Sequence, residues 1–571
     1  MARGIESTDS EETAVGTPEE HARRTVLRAA TAAGAGLALT APEARAAAGG
    51  GGAAGSGAGG ADGVPGGPLS VVPADPRYDH LIARGASNRF RGRPERVYLV
   101  GSTAQVVRAV REAVRSGARL AVRSGGHCFE DFVDHPDVTA VIDMSPMRDV
   151  SFDTRRRAFV VEAGATLGEV YRKLYLGWGV TVPAGYHAEV GAGGHVPGGG
   201  YGPLCRLFGL VSDHLYAVEV VVVDREGETR AVVATRERDD PHRELWWAHT
   251  GGGGGNYGVV TRFWFRSPKA TDRTDPGRML PVPTRTALTF TADWSWEGLD
   301  EERFTRMVRN HGQWAERHGA AGDRSAALYA EFALTRRAAG AHMLLGQVAA
   351  EPGEDRRLLD GFLGAVCAGT TRPGALKVRR LPWLTAALRG SGEAVGDWHI
   401  KIKSAFLRRR LTDRQIAVVH RHLTRADTGV IAGSVVLNTY GGAVNALSPS
   451  ATAMPHRDSV LKLSCLASWA EPGQAPEYLA WIRECYRDLF TGTGGVPVPG
   501  ETADGAFINY PDTDLAAPRW NTSGTPWQTL YYKGNHARLR AVKARWDPRD
   551  IFRHALSVRP ARPTASPAGK S

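Results

Sequence analysis

The chain has 571 residues and a formal charge of +11, from 71 Lys and Arg against 60 Asp and Glu, and that length exceeds what one hydrophobic core serves, so two domains are expected. Its basic residues are spread along the whole chain with no Lys/Arg block and no basic-aromatic alternation, which argues against a nucleic-acid partner. Five cysteines (Cys128, Cys205, Cys367, Cys465 and Cys485) show no CxxC and no Cys/His ligand spacing, so no metal site is expected and at least one thiol stays unpaired within the chain.

Near the N-terminus, Arg23 and Arg24 precede an Ala-rich apolar stretch from Ala29 to Ala41, and Ala44-Arg45-Ala46 offers a small-x-small cleavage pattern. The order resembles a twin-arginine signal (residues 1–46). It implies use of the twin-arginine export machinery and a secreted, extracytoplasmic destination. Residues 47–74 read as a Gly/Ala-rich linker. No other stretch reaches the ~18 apolar residues that a membrane span needs, so no membrane anchor is expected.

From Arg96 onward the pattern is mixed α/β. Val97 to Val100 is a short apolar run, and Ser102 or Thr103 caps a predicted helix over 104–116, with Val106, Val107, Val110 and Val114 at helical spacing. Gly117 ends it. Strands follow at 120–122, 140–143, 158–162 and 217–224, with a further helix over 166–176. After Pro268 the composition shifts to strand-like runs at 287–291, 342–345 and 435–437 between helical stretches, and a last helix is expected around 539–545, folding back onto the first domain.

Three glycine-rich turns stand out. One is Arg123-Ser124-Gly125-Gly126-His127; the second runs from His187 through Val190, Gly193, Gly194 and His195 to Gly199, Gly200 and Tyr201; the third holds Gly254, Asn256, Gly258 and Val259. A strand opening into glycines lets backbone N–H groups close on a diphosphate, and a histidine at the tip reaches the ring that the diphosphate carries, so the implied ligand is a dinucleotide.

These turns, with Asn509-Tyr510-Pro511-Asp512 and Trp546-Asp-Pro-Arg-Asp550-Ile-Phe552, resemble in kind and order the berberine bridge enzyme-like FAD-linked oxidases of the vanillyl-alcohol oxidase superfamily, from about residue 75 to 558. The resemblance implies an α+β fold: a PCMH-type FAD-binding domain (75–268), a substrate domain with an antiparallel sheet (269–534), a C-terminal segment returning to the FAD domain (535–558) and a tail (559–571). It implies FAD joined covalently through its 8α-methyl to His127, and dioxygen and a small-molecule substrate as partners. Many relatives carry a second, cysteinyl link, where this chain has His187. One covalent bond is therefore expected, with His187 as a noncovalent neighbour of the flavin or Cys205 swinging in as the alternatives.

The resemblance also places catalysis at Tyr510, with Tyr440 of Asn438-Thr-Tyr-Gly-Gly442 as its partner, and an oxygen gate at Val190, whose small side chain favours an oxidase. An ordinary tyrosine holds its proton up to about pH 10, so a phenolate base needs nearby positive charge, which the alternating run His399-Ile-Lys401-Ile-Lys403 offers. His195 is open between a flavin contact and a structural role. The implied activity is an exported oxidase acting on an alcohol of a carbohydrate or glycosylated natural product, releasing hydrogen peroxide. Oxidative cyclisation or C–H oxidation of a polyketide- or alkaloid-like metabolite, and a non-redox flavin- or sugar-binding protein, are the alternatives.

Overall fold

The computed structural model describes residues 67–389 and 398–561, apart from 271 and 273. Residues 1–46, on which the expected twin-arginine signal falls, residues 47–66 of the expected linker and residues 562–571 lie outside the described residues; the linker's last part, 67–74, instead holds a strand, Leu69–Val71.

Strands β1 (Leu69–Val71), β2 (Arg96–Leu99), β3 (Leu120–Arg123) and β4 (Ala140–Asp143) form one sheet in the order β1-β2-β4-β3. Both β2 and β3 run parallel to β4, which requires a crossover, and helix α1 (Thr103–Ser116) supplies it. Ser102 caps α1 by accepting the Gln105 N–H, Val106, Ala109, Val110 and Ala113 bury its inner stripe, and Gly117 ends it at φ 69°. A second, antiparallel sheet of β5 (Val150–Asp153), β6 (Ala158–Glu162), β7 (Leu215–Val223), β8 (Thr229–Thr235) and β9 (Val259–Phe265) has the order β5-β6-β9-β7-β8. Helix α1 packs on its strands, and α2 (Leu167–Trp178) opens with a Thr166-Glu169 capping box.

Seven strands make the third sheet: β10 (Thr286–Ser295), β11 (Leu328–Thr335), β12 (Ala341–Val348), β13 (Ala375–Pro382), β14 (His399–Leu407), β15 (Gly433–Thr439) and β16 (Leu461–Trp469). It is antiparallel throughout, in the order β13-β10-β12-β11-β15-β16-β14. Helices α3 (Glu301–Arg317), α4 (Glu354–Cys367), α5 (Asp413–Thr424) and α6 (Ala475–Leu489) pack against one another and the sheet. The register aligns Glu331, Asn438, Lys462 and Phe406 side by side on β11, β15, β16 and β14. Directly paired residues share a face, so Glu331, Asn438 and Lys462 form a polar row, ended by Phe406 on the edge strand.

The chain then returns to the first domain. Helix α7 (His536–Trp546) places Lys543 at zero exposure, where its Nζ donates to the Asn256 carbonyl (2.7 Å), the Phe552 carbonyl (2.6 Å) and Asp547 (2.6 Å). Asn256 holds the third glycine turn from inside: its Nδ2 donates to the carbonyls of Gly252, Gly253 and Gly254, and its Oδ1 accepts the Val558 N–H. One buried ammonium thus ties the C-terminal segment to that turn. Lys543→Met leaves Asp547 buried and unpaired, and is expected to cost about 3–5 kcal/mol in urea unfolding, with Lys543→Met/Asp547→Asn recovering part of it; an unchanged midpoint would show that the tie carries no stability.

Candidate active site

The ends of these elements surround a cavity of about 310 Å³. The turn after β3 enters it from one side. Gly126 sits at φ 76°, and a Cβ on Gly125 would lie 2.3 Å from the Gly191 nitrogen, so the first two glycine turns touch backbone to backbone. A Cβ on Gly194 would meet no atom within 4 Å, and one on Gly254 would meet nothing closer than 3.8 Å. Protein packing does not require glycine at these two positions. Both line the cavity, where a side chain would take up the space open to a ligand.

Of the residues singled out from sequence, Ser124, Gly125, Gly126, His127, His187, Val190, Gly193, Gly194, His195, Tyr201, Gly254, Gly258, Val259, Asn509 and Tyr510 line this cavity, with Arg123 at its edge. The Arg123 guanidinium, however, donates to Asp143 (2.9 Å), a carboxylate also held by Arg84. It anchors the turn while lining the cavity wall. Gly199, Gly200 and Asn256 lie outside the lining and shape it from behind: a Cβ on Gly200 would lie 2.4 Å from the His195 ring. His195 has a structural tie, since its Nε2 accepts the Gly185 N–H (3.1 Å) and its carbonyl accepts from Asn509 Nδ2 (2.9 Å). That joins the loop before His187 to the turn before Tyr510.

His127 and His187 stand side by side on the wall, ring centroids 4.8 Å apart at 62°. Burial pushes His127 down to about 3 and His187 below its ordinary value, so both rings are neutral near pH 7. Cys205 has zero exposure, off the lining, and burial pushes its thiol up to about 12. At the far end, Phe132 stacks on His554 (3.9 Å), a pair the sequence did not single out.

The Tyr510 hydroxyl lies 3.5 Å from that of Tyr201. Behind them Lys462, at zero exposure, donates from Nζ to the Tyr201 hydroxyl (2.9 Å) and the Ser464 hydroxyl (3.0 Å), and sits 3.9 Å from the Tyr510 ring centroid. Burial holds Lys462 well below the usual ammonium range, with Glu331 acting the other way, and burial pushes Tyr510 up to about 12. The amine thus reaches the Tyr510 hydroxyl only through that of Tyr201. Glu331 accepts from Tyr329 (2.5 Å) and from Tyr186 (3.2 Å), the neighbour of His187.

Two expectations are corrected here. Tyr440 has zero exposure, lies off the cavity lining and has a hydroxyl without a partner among the described residues; the tyrosine facing Tyr510 is Tyr201. Lys401 and Lys403 do turn inward, but they bind carboxylates: Lys401 pairs with Glu130 and Asp512, and Lys403 with Asp512 and Asp514. The amine at Tyr510 is Lys462. A lone lysine between leucines in a strand reads as a solvent-facing position, which hides it; only its place opposite Asn438 in the polar row reveals it.

Comparison with known proteins gives two family matches, "FAD binding domain" over residues 94–232 and "Berberine and berberine like" over 506–559. The chain is 52% identical to the aclacinomycin-N/aclacinomycin-A oxidase of Streptomyces galilaeus, over 95% of this chain and 99% of that one. It belongs to the berberine bridge enzyme-like FAD-linked oxidases. Among solved structures, a glycopeptide hexose oxidase complexed with teicoplanin superposes with a TM-score of 0.84 at 51% identity, covering 87% of this chain and 99% of that one. The hexose oxidase of Chondrus crispus is 29% identical over 85% of this chain and 93% of its own length. This berberine bridge enzyme-like chain is thus an FAD-dependent oxidoreductase with a PCMH-type fold, and the open glycine cradle fits that cofactor.

Burial raises Glu331 from 4.5 to about 7. The folded chain therefore holds this proton between about pH 4.5 and 7 where the unfolded chain has lost it, so stability falls as pH rises through that window. Glu331→Gln is expected to match wild type in unfolding free energy near pH 4.5 and to exceed it by up to about 3 kcal/mol at pH 8. A difference independent of pH would place the proton elsewhere.

Proposed function

We propose that the chain is an exported oxidase that converts a sugar hydroxyl of a glycosylated natural product to a carbonyl, with hydrogen peroxide as co-product. The observation that carries this reading is the Tyr510-Tyr201-Lys462 cluster on the wall of the FAD cavity. Bound FAD supplies the hydride acceptor and passes the electrons to dioxygen. Tyr510 takes the hydroxyl proton, and Lys462 acts on it through Tyr201, whose hydroxyl lies between the amine and that of Tyr510. His127 carries the covalent link, which keeps the cofactor with an exported protein. Arg23 and Arg24 support export. The substrate class is supported by the relatives named for aclacinomycin and glycopeptide oxidation. It is supported also by Ile400 and Phe129, which line the cavity beside Tyr510 and offer apolar surface to an aglycone.

Tyr510→Phe should leave the flavin spectrum intact while anaerobic flavin reduction by substrate slows about 10²-fold or more. Unchanged reduction would move the base to Tyr201. Val190 lines the cavity and is proposed to gate dioxygen. Stopped-flow mixing of reduced Val190→Leu with oxygen should show slower reoxidation with little change in reduction by substrate; equal reoxidation in both proteins would remove Val190 as the gate.

A further inference from the structure

His187 has no assigned task in this reading, yet its placement is specific. Its Nδ1 is buried without a hydrogen-bond partner among the described residues, an arrangement that costs free energy unless something meets that nitrogen. The loop that carries it is fixed on every side. The Val190 N–H donates to the His187 carbonyl (3.2 Å), the Gly185 N–H donates to His195 (3.1 Å), and the Tyr186 hydroxyl donates to Glu331 (3.2 Å). The imidazole is therefore held in place against His127.

We infer that His187 is the base for covalent flavin attachment at His127, so that the histidine pair is a self-modification site. The inference rests on the reading that His127 carries the link. Attachment forms a bond between a His127 ring nitrogen and the flavin 8α-carbon. One proton leaves that carbon and one leaves His127, two electrons remain on the flavin, and dioxygen takes them up with two protons as hydrogen peroxide. His187 receives the proton from carbon, the slower of the two transfers. A neutral imidazole on the cavity wall beside His127 is equipped for it. Other nearby groups are not: the Cys128 thiol is pushed up to about 12 by burial, and Glu130 is engaged by Lys401.

The test compares full-length wild type, His187→Ala, His187→Gln and His127→Ala. For each, total bound flavin, the fraction that stays with the protein after acid precipitation, and the growth of that fraction during incubation with FAD are measured. Wild type is expected to retain its flavin, and both His187 variants to bind FAD while attaching it about 10²-fold more slowly. Added imidazole should speed attachment in His187→Ala and do nothing in His127→Ala. His187→Gln keeps size and polarity if the Ala variant fails to fold. Acid release of wild-type flavin would overturn the link and the inference together. Retention in wild type with equally fast attachment in the His187 variants would overturn the inference alone, as would a flavin-derived mass on the His187 peptide.

Discussion

A lysine amine sealed between a sheet and two phenols is the constraint on which the site depends. Lys462 has zero exposure and no carboxylate in salt-bridge contact among the described residues; its partners are the hydroxyls of Tyr201 and Ser464 and the ring of Tyr510. Charging such a group in a low-dielectric interior is costly, so its proton goes where a counter-charge appears. The counter-charge at hand is the carboxyl of Glu331. The three parts come from distant stretches of chain: the seven-stranded sheet brings Lys462 and Glu331, the second glycine turn brings Tyr201, and the returning C-terminal region brings Tyr510. Closure of the fold creates the proton site.

A second buried charge layer fixes the distances that this site needs. Lys401 joins Glu130, three residues past His127, to Asp512, two residues past Tyr510. Lys403 and Arg483 hold Asp514 in the same cluster, and Asp514 is kept well below the usual carboxylate range by Lys403 and Lys401 against the effect of burial. Ion pairs of this kind contribute little net stability, but breaking one is expensive, so they serve best as rulers. Here they set the histidine turn against the tyrosine turn. The link from Asn509 to the His195 carbonyl does the same with neutral groups.

Much of the fold was legible in the sequence because its signals are local. Ser102, the valine stripe and Gly117 define α1 without help from the rest of the chain, and the glycine turns mark where the cavity lies. The site was legible where a residue sits in such a turn, as His127, His187, Val190 and Tyr510 do. It was illegible where function comes from cross-strand register. Lys462 and Glu331 lie 131 positions apart in numbering and meet only through Asn438 on the strand between them. Tyr440 misled because its neighbouring glycines suggest an exposed turn. In the structure a Cβ on Gly442 would press on the Arg206 carbonyl at 2.4 Å and one on Gly441 on the Gly319 carbonyl at 2.7 Å, so these glycines serve close packing. Arg123 lines the cavity as expected, but its charge is satisfied by Asp143, directly opposite on the neighbouring strand.

The central claim is that Lys462, acting through Tyr201, governs the protonation of Tyr510. Anaerobic flavin reduction by substrate, followed by stopped flow across pH in wild type and Lys462→Met, tests it directly. Without the amine, Tyr201 loses the donor behind it and supports a Tyr510 phenolate less, so the midpoint at which the rate rises should move to higher pH by about one unit or more while the limiting rate at high pH is largely recovered. The same midpoint in both proteins would contradict the account and leave Lys462 as a structural group beneath the tyrosines.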